Sequence, residues 1–525
     1  SFLTLTNLFL LFIIKCCVRG YIRSGEKMGS RGERRMHMML GHLRDNGAGE
    51  KRGLKVSETS AVRKVKMETD DGKVLETYLD GDALVAGDLA KVNIVSLDPG
   101  LANTAIGKSG ISFIDGEAGR LTYRGYPIEV LAEKSTFLEV AFLLLNGELP
   151  NRDQFVHFQD KVMSHTYVHQ DLTNLIRNFR YDAHPMGMFV SAMAALGTFY
   201  PDANPALQGA EVLVNDKALR DKQVFRILGK APTIAACAYR HRIGRPYNSP
   251  NPGSRTNPWG PHAYASSFLT MLDRFDIEGD YKPHPKLARA LDVLFILHAE
   301  HGLNCSTAAV RHISSARTDP YTCISGAAGA LYGPFHGGAN EAVLRMLERI
   351  GDKANVPAFL ERVKNREEKL MGFGHRVYKN FDPRSRILKS YAYEVFDLVG
   401  YQPLIEVAKE LERVALQDPF FVKRKLYPNV DFYSGLIYRS LGFPTDFFPV
   451  LFALPRVVGW LAHWVESLET KGAKIMRPKQ VYTGSPVRQY VPMAERWGEA
   501  PLTVNYPTGT AASRRREISF QHPHN

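Results

Sequence analysis

From Phe137 to Ser467 the chain returns apolar residues at three- and four-residue spacing, segment after segment. Such spacing gathers the apolar groups on one side of a helix, and a helix with one apolar side must bury it against another. The segments Phe137–Leu145, Met186–Leu196, Val224–Arg240, Leu287–Ser315, Asn340–Ile350 and Phe447–Ser467 all carry the pattern. Pro and Gly punctuate the stretches between them, as at Asn248–Pro261. Only one stretch reads as strand. Within the Gly-rich run Val92–Tyr126, the short runs Ile111–Gly116 and Arg120–Gly125 predict a small hairpin. The expected class is mainly α, with a small N-terminal β hairpin. No internal repeat occurs, no Gly-x-Gly-x-x-Gly follows a strand, and no phosphate-binding loop motif is present.

The 525 residues, 44% hydrophobic and 23% charged, can bury two or more cores. The net charge of +13 is unevenly placed: residues 1–66 hold 14 Lys/Arg against 5 Asp/Glu, nine of the thirteen surplus charges. Nucleic-acid binding would need a basic stripe on the folded part, so it is not expected. The five cysteines, Cys16, Cys17, Cys237, Cys305 and Cys323, show neither paired metal spacing nor a disulfide framework. They point to a reducing compartment.

Residues 1–27 read as upstream sequence or a fragmentary leader before Met28. Their apolar run Leu8–Ile14 is too short to span a bilayer, so no membrane role is expected. Residues 28–70 read as a targeting presequence and linker, the part from 44 to 66 being polar and charged. Arg35-Met36, five residues, then His42-Leu43 resembles an N-terminal peroxisomal targeting signal, with Met36 a mild departure at its second position. This implies a peroxisomal (glyoxysomal) address and an import receptor as partner. A mitochondrial matrix address, also served by Arg-rich leaders, is the alternative.

Four segments concentrate His, Asp, Arg and Gly. His298-Ala299-Glu300-His301-Gly302-Leu303-Asn304 is expected inside the long helix Leu287–Ser315, with His298 and His301 on one face. Gly333-Pro334-Phe335-His336-Gly337-Gly338 puts His336 on a Gly-flanked turn ahead of the helix from Asn340. Free backbone N–H groups there favour a neutral imidazole. Met371 to Arg384 combines Gly372 and Gly374, which let the backbone approach a ligand, with His375, Arg376, Lys379 and Arg384. That set suits a small multiply charged carboxylate or a phosphate-bearing cofactor. Tyr427 to Gly435 carries Asp431 at the start of a helix, where it is expected to be the N-cap. Arg456 lies within the last long helix and Arg477 just before Pro478. Each segment alone has a plainer reading: local histidine hydrogen bonds, a turn, a solvated charge run, a helix cap.

In this order the segments resemble the citrate synthase family. Its signature of Gly372, an aromatic, Gly374, His375, then Val377, Lys379 and Asp382-Pro383-Arg384 spans thirteen positions. The Gly-Pro-Phe-His-Gly-Gly-Ala-Asn and Asn-Val-Asp runs are further family motifs, and the likeness extends from about Val92 to Tyr482. The tail Arg514–Asn525 lies beyond it. The resemblance implies a two-domain helical homodimer, its large domain formed by 71–337 and 443–525, and its small domain by 338–442 closing over the substrates. It matches His336, His375 and Asp431 to the catalytic residues. It matches His301, Arg384 and Arg456 to oxaloacetate ligands, with Arg477 supplied by the neighbouring subunit. Gly372 and Gly374 match the loop near the adenine of CoA, and Lys379, Lys423 and Lys425 fall where basic groups meet its phosphates. The implied reaction condenses acetyl-CoA with oxaloacetate and hydrolyses the thioester, with no metal and no cofactor. A 2-methylcitrate synthase using propionyl-CoA is the alternative, since one methylene changes binding by only about 1–3 kcal/mol. A metal-dependent hydrolase using His298, His301, His336 and His375, and a non-catalytic CoA-binding protein, are more distant ones.

Overall fold

The computed structural model describes residues 64–68, 72–80, 83–250, 260, 262–275, 281–400 and 403–496. The leader 1–27, the residues Arg35, Met36, His42 and Leu43, and the tail Arg514–Asn525 lie outside the described residues. The chain forms two compact units, one up to Ala105 and one from Ile106.

The first unit holds a sheet that the sequence reading missed. Strand β1 (Lys64–Glu68) pairs antiparallel with β2 (Val74–Asp80), Val65 facing Thr77 and Met67 facing Leu75, and β2 pairs with β3 (Ala83–Leu84). The linker thus ends in a strand. Val65 and Met67 alternate with charged residues, a period-two signal that five residues leave faint. Met67 packs against Leu75, Leu89 and Val92.

The second unit opens with the expected hairpin. Strands β4 (Ser112–Asp115) and β5 (Arg120–Tyr123) pair Ser112 with Tyr123 and Ile114 with Leu121, and β6 (Tyr126–Pro127) adds a short third strand. The helices that build the core are α1 (Phe137–Asn146), α2 (Pro185–Leu196), α3 (Lys217–Arg242), α4 (Pro285–His298), α5 (Cys305–Ser314) and α6 (Pro320–Tyr332). They continue with α7 (Ala339–Ile350), α8 (Pro383–Val399), α9 (Pro403–Gln417), α10 (Val430–Ser440) and α11 (Phe448–Glu469). Local chemistry sets their ends. Thr136 and Glu139 form a capping box on α1, while Asp319-Pro320 and Asp382-Pro383 place an N-cap acid before a first-turn proline at α6 and α8.

Helix α11 is the axis of the unit and packs against α1, α3, α4, α5 and α6. The stretch Thr445–Glu469 is long and apolar enough to cross a membrane, yet nearly all of it is buried inside the protein, so it reads as a core helix. Helices α7 to α10 form a second group, with α10 against both α7 and α8. Cys237, Cys305 and Cys323 are free thiols.

Candidate active site

The expected single helix Leu287–Ser315 is two helices. Helix α4 ends at His298, Gly302 takes φ +62°, and Asn304 starts α5 by accepting a hydrogen bond from the Thr307 N–H at 3.1 Å. His301 therefore sits on a connecting turn and shares no helix face with His298. The two do different things. His298 is fully buried, with Nδ1 2.7 Å from the Leu294 carbonyl and its ring edge-on to Phe452, and burial holds its imidazole down at about 3. His301 has Nε2 3.1 Å from the Tyr378 hydroxyl, and its ring centroid lies 5.3 Å from that of His375. Burial, then Arg384, His375, Arg456 and His336, push the His301 imidazole well below its ordinary range. That influence groups these side chains around His301.

His336 lies on the expected turn between α6 and α7, closed by His336 N–H to the Gly333 carbonyl (2.9 Å) and Gly337 N–H to the Leu331 carbonyl (2.8 Å). Its Nε2 accepts from the Ser306 backbone N–H at 3.3 Å and lies 2.9 Å from Ser306 Oγ. The backbone N–H can only donate, which calls for a proton on Nδ1, whereas Ser306 Oγ gives its own proton to Asn304 Oδ1 at 2.7 Å and accepts one from Nε2 in the other tautomer. Burial, reinforced by Arg456, pulls the imidazole down to about 4, so it is neutral at pH 7.

The loop carrying His375 is laid along residues 427–429. Gly374 N–H donates to the Tyr427 carbonyl (2.8 Å), and Asn429 N–H donates to the Gly372 carbonyl (2.9 Å). Gly372 and Gly374 both take φ +77°, and a Cβ at Gly372 would come within 2.7 Å of Val343 Cγ2, so the close fit of this loop requires glycine. His375 Nδ1 accepts from the backbone N–H of Val377 (3.0 Å) and Tyr378 (3.2 Å). Both backbone groups can only donate, so its proton is on Nε2. Burial, then Arg384, lower this imidazole to about 4, against an opposing pull from Asp382.

Asp431 is not the N-cap expected from the sequence. Asn429 is: its Oδ1 accepts from the Asp431 N–H at 3.0 Å, and its Nδ2 donates to the Gly374 carbonyl at 2.9 Å. One asparagine side chain thus ties the His375 loop to the first turn of α10. Asp431 is left free of a capping duty. By surface area it is only partly exposed, and protein surrounds its carboxyl densely. Burial raises its pKa to about 6, while Arg384 and Arg456 lower it and Asp382 raises it further.

Arg384 and Arg456 are both almost fully buried. Arg384 forks onto Asp382, Nε to Oδ1 at 3.0 Å and Nη2 to Oδ2 at 2.8 Å. Arg456 donates from Nε to the His298 carbonyl at 2.5 Å, lies 4.8 Å above the Phe452 ring, and forms no ion pair with a carboxylate among the described residues. A buried guanidinium in that state favours an anion. The remaining expected residues stand apart from this cluster. Arg477 is exposed beyond α11, and Lys423 and Lys425 are exposed. Lys379 is exposed and paired with Glu117. A cleft of about 590 Å³ opens beside Gly338 and Met371, with Arg345, Arg349 and Lys369 in its wall. No three His, Cys, Asp or Glu side chains among the described residues form a group able to hold a metal ion.

The sequence reading gave no positioning role to Ser306, Asn429 or Asp382, each of which fixes a neighbour. Asp382 and Asn429 were detectable: Asp-Pro and Asn-Val-Asp each offer a short side chain at a helix start. Ser306 carries no signal, because its partner His336 is thirty residues away.

Residues 100–479 match the family described as citrate synthase, C-terminal domain. The chain is 56% identical to a peroxisomal citrate synthase of Dictyostelium discoideum over 92% of this chain and 98% of that one. It is 57% identical to a glyoxysomal citrate synthase of Cucurbita maxima over 76% of this chain and 75% of that one. Among solved structures, citrate synthase from Thermoplasma acidophilum, in ternary complex with carboxymethyl coenzyme A and oxaloacetate, superposes with a TM-score of 0.68 at 31% identity. That match covers 76% of this chain and all of the other. On this evidence the chain belongs to the citrate synthase family.

Proposed function

We propose that the protein condenses acetyl-CoA with oxaloacetate and hydrolyses the citryl thioester to citrate and CoA. The observation that carries this reading is the pair of histidines held neutral by burial, together with a carboxyl raised to about 6 on the helix turn that Asn429 ties to the His375 loop. The acetyl methyl of a thioester is a very weak acid. A base removes its proton only if the developing enolate oxygen is stabilised at once. Asp431 is the base, and its raised pKa brings its basicity nearer the operating pH. His336 donates Nδ1–H to the thioester oxygen. His375 donates Nε2–H to the ketone oxygen of oxaloacetate and makes that carbon electrophilic. Carbon–carbon bond formation gives citryl-CoA, and water then cleaves the thioester.

Arg456, Arg384 and His301 bind oxaloacetate, and Arg477 reaches the same substrate from the neighbouring subunit of a homodimer. The helices α7 to α10, within 338–442, are the small domain that closes and expels water. CoA runs past Gly372 and Gly374, with Lys379, Lys423 and Lys425 toward its phosphates. The reading calls for no metal and no cofactor. The peroxisomal address expected of the extension agrees with the names of the Dictyostelium discoideum and Cucurbita maxima relatives.

The test is thiol release with oxaloacetate and either acetyl-CoA or propionyl-CoA. Acetyl-CoA should be the better substrate; a preference for propionyl-CoA would reassign the acyl group. Asp431→Ala should cost about 10²–10⁴ in kcat with the fold intact by circular dichroism. Near-normal turnover by that variant would remove Asp431 from the mechanism.

A further inference from the structure

The hairpin β4–β5 touches both sides of the oxaloacetate cluster. At its base, Ser112 and Tyr123 face each other across the ladder. Ser112 Oγ donates to Glu300 Oε1 at 3.0 Å and accepts from the Gly302 N–H at 3.2 Å. The Tyr123 hydroxyl accepts from the Glu300 N–H at 3.2 Å and donates to the Glu300 carbonyl at 2.8 Å. His301 is the residue between these two gripped positions. At the other end, the turn of the hairpin meets the segment that carries His375. Lys379 N–H donates to the Gly116 carbonyl at 2.9 Å, and Lys379 Nζ pairs with Glu117. A Cβ at Gly116 would come within 2.2 Å of the Val377 carbonyl oxygen, and one at Gly119 within 2.8 Å of the Phe381 carbonyl oxygen. Val377 is also one of the two residues whose N–H fixes the His375 tautomer.

We propose that this hairpin is a spacer which sets the separation and orientation of His301 and His375, so that Ser112 and Gly116 are positioning residues for oxaloacetate. The inference rests on the reading of His301 and His375 as oxaloacetate contacts. A two-stranded hairpin four residues long is short and stiff, and it grips one histidine turn at its base and the other histidine loop at its tip. His336 is held by Ser306, and Asp431 by Asn429, whose side chain links it to the His375 loop only at Gly374. Disturbing the hairpin therefore acts on oxaloacetate more strongly than on acetyl-CoA.

The experiment compares Gly116→Ala, Ser112→Ala and Ser112→Thr with wild type in steady-state assays that vary each substrate separately. Gly116→Ala displaces the Val377 segment and should lower kcat/KM for oxaloacetate by about a hundredfold, the cost of an ångström-scale misplacement. The KM for acetyl-CoA should stay within about twofold, and the melting temperature should not account for the loss. Ser112→Ala should raise the KM for oxaloacetate several-fold, and Ser112→Thr, which keeps the hydroxyl, should restore it. Folded variants with wild-type oxaloacetate kinetics overturn the proposal, as do losses that fall equally on both substrates and follow stability. If Gly116→Ala does not fold, the Ser112 pair decides. His375→Ala separates the two readings. Retained oxaloacetate turnover in that variant removes the site assignment itself, whereas an inactive His375→Ala beside unaffected hairpin variants removes only the spacer.

Discussion

The start of α8 and the middle of α11 each bury one arginine of the site, and they treat its charge in opposite ways. At α8, Asp382 caps the helix and forks onto Arg384, so the charge is neutralised by its own chain. At α11, Arg456 has a carbonyl and an aromatic face and no direct ion pair among the described residues; the buried Glu300, itself paired with His463, acts on its charge from beyond ion-pair distance. Both arginines lower the pKa of Asp431, and Asp382 opposes them. One arginine is thus a fixed part of the fold that offers its remaining N–H groups to a ligand. The other is a buried guanidinium with no direct ion-pair partner among the described residues, whose pKa burial pulls down to about 10 despite Glu300, so an arriving anion stabilises it. Two family-motif arginines that look equivalent in sequence are different devices.

The largest expected effect tests that division directly. Arg384→Ala strands Asp382, buried and ionised, and should destabilise the protein by about 3–5 kcal/mol in denaturant unfolding. Arg456→Ala breaks no direct ion pair among the described residues and should cost clearly less stability than Arg384→Ala, the loss coming from packing around Phe452 and from weaker support of the buried Glu300. Equal destabilisation by both would erase the distinction. Next in size is binding. Arg456→Ala should weaken oxaloacetate by about 2–5 kcal/mol, seen as a raised KM and as loss of the stabilisation that oxaloacetate gives the wild type on heating. Unchanged oxaloacetate affinity in a folded Arg456→Ala would take this residue out of the site.

The helical class, the hairpin and the residues of the central cluster were legible before any coordinates. The helical class follows from period-3.6 patterning over long segments, the hairpin from short apolar runs in a Gly-rich stretch, and the central cluster from family motifs that are each compact in sequence. Two local errors had a common cause. Both the continuous helix through His301 and the cap at Asp431 followed from reading helical pattern without weighing Asn304 and Asn429, whose side chains end one local order and begin another. The pairing of Arg384 with Asp382 could have been anticipated from Asp-Pro-Arg. The carbonyl that receives Arg456, by contrast, lies 158 residues away and leaves no trace in local sequence. The strand Lys64–Glu68 was missed because five residues, three of them charged and alternating with Val65 and Met67, look like linker until a partner strand is known.

A smaller effect sharpens the electrostatic half of the comparison. Asp431 must be ionised to act as base, and its pKa near 6 means that activity falls as pH drops through about 6. Replacing Arg456 by Met removes a charge that favours the carboxylate, so the pKa must rise and the acid limb of kcat must move to higher pH. A displacement of about one pH unit, roughly 1.4 kcal/mol, is expected under saturating oxaloacetate. An acid limb that stays in place would mean that a different group controls it.

The smallest effect belongs to the exposed cations, which mark the opposite extreme from Arg456. Lys423 and Lys425 stand in solvent. Water and salt screen such charges, so each substitution by Ala should raise the KM for acetyl-CoA by no more than about fivefold and leave that for oxaloacetate unchanged. The increase should shrink as ionic strength rises toward 0.5 M, because the Debye length then falls to a few ångströms. Lys379 should behave differently from these two. Its Nζ is already paired with Glu117, so an incoming CoA phosphate has to compete with a carboxylate. Glu117→Gln frees that lysine and should lower the KM for acetyl-CoA at low salt, the reverse of what Lys423→Ala does. A raised KM in Glu117→Gln would show that the pair serves the loop alone, and would remove Lys379 from the phosphate contacts.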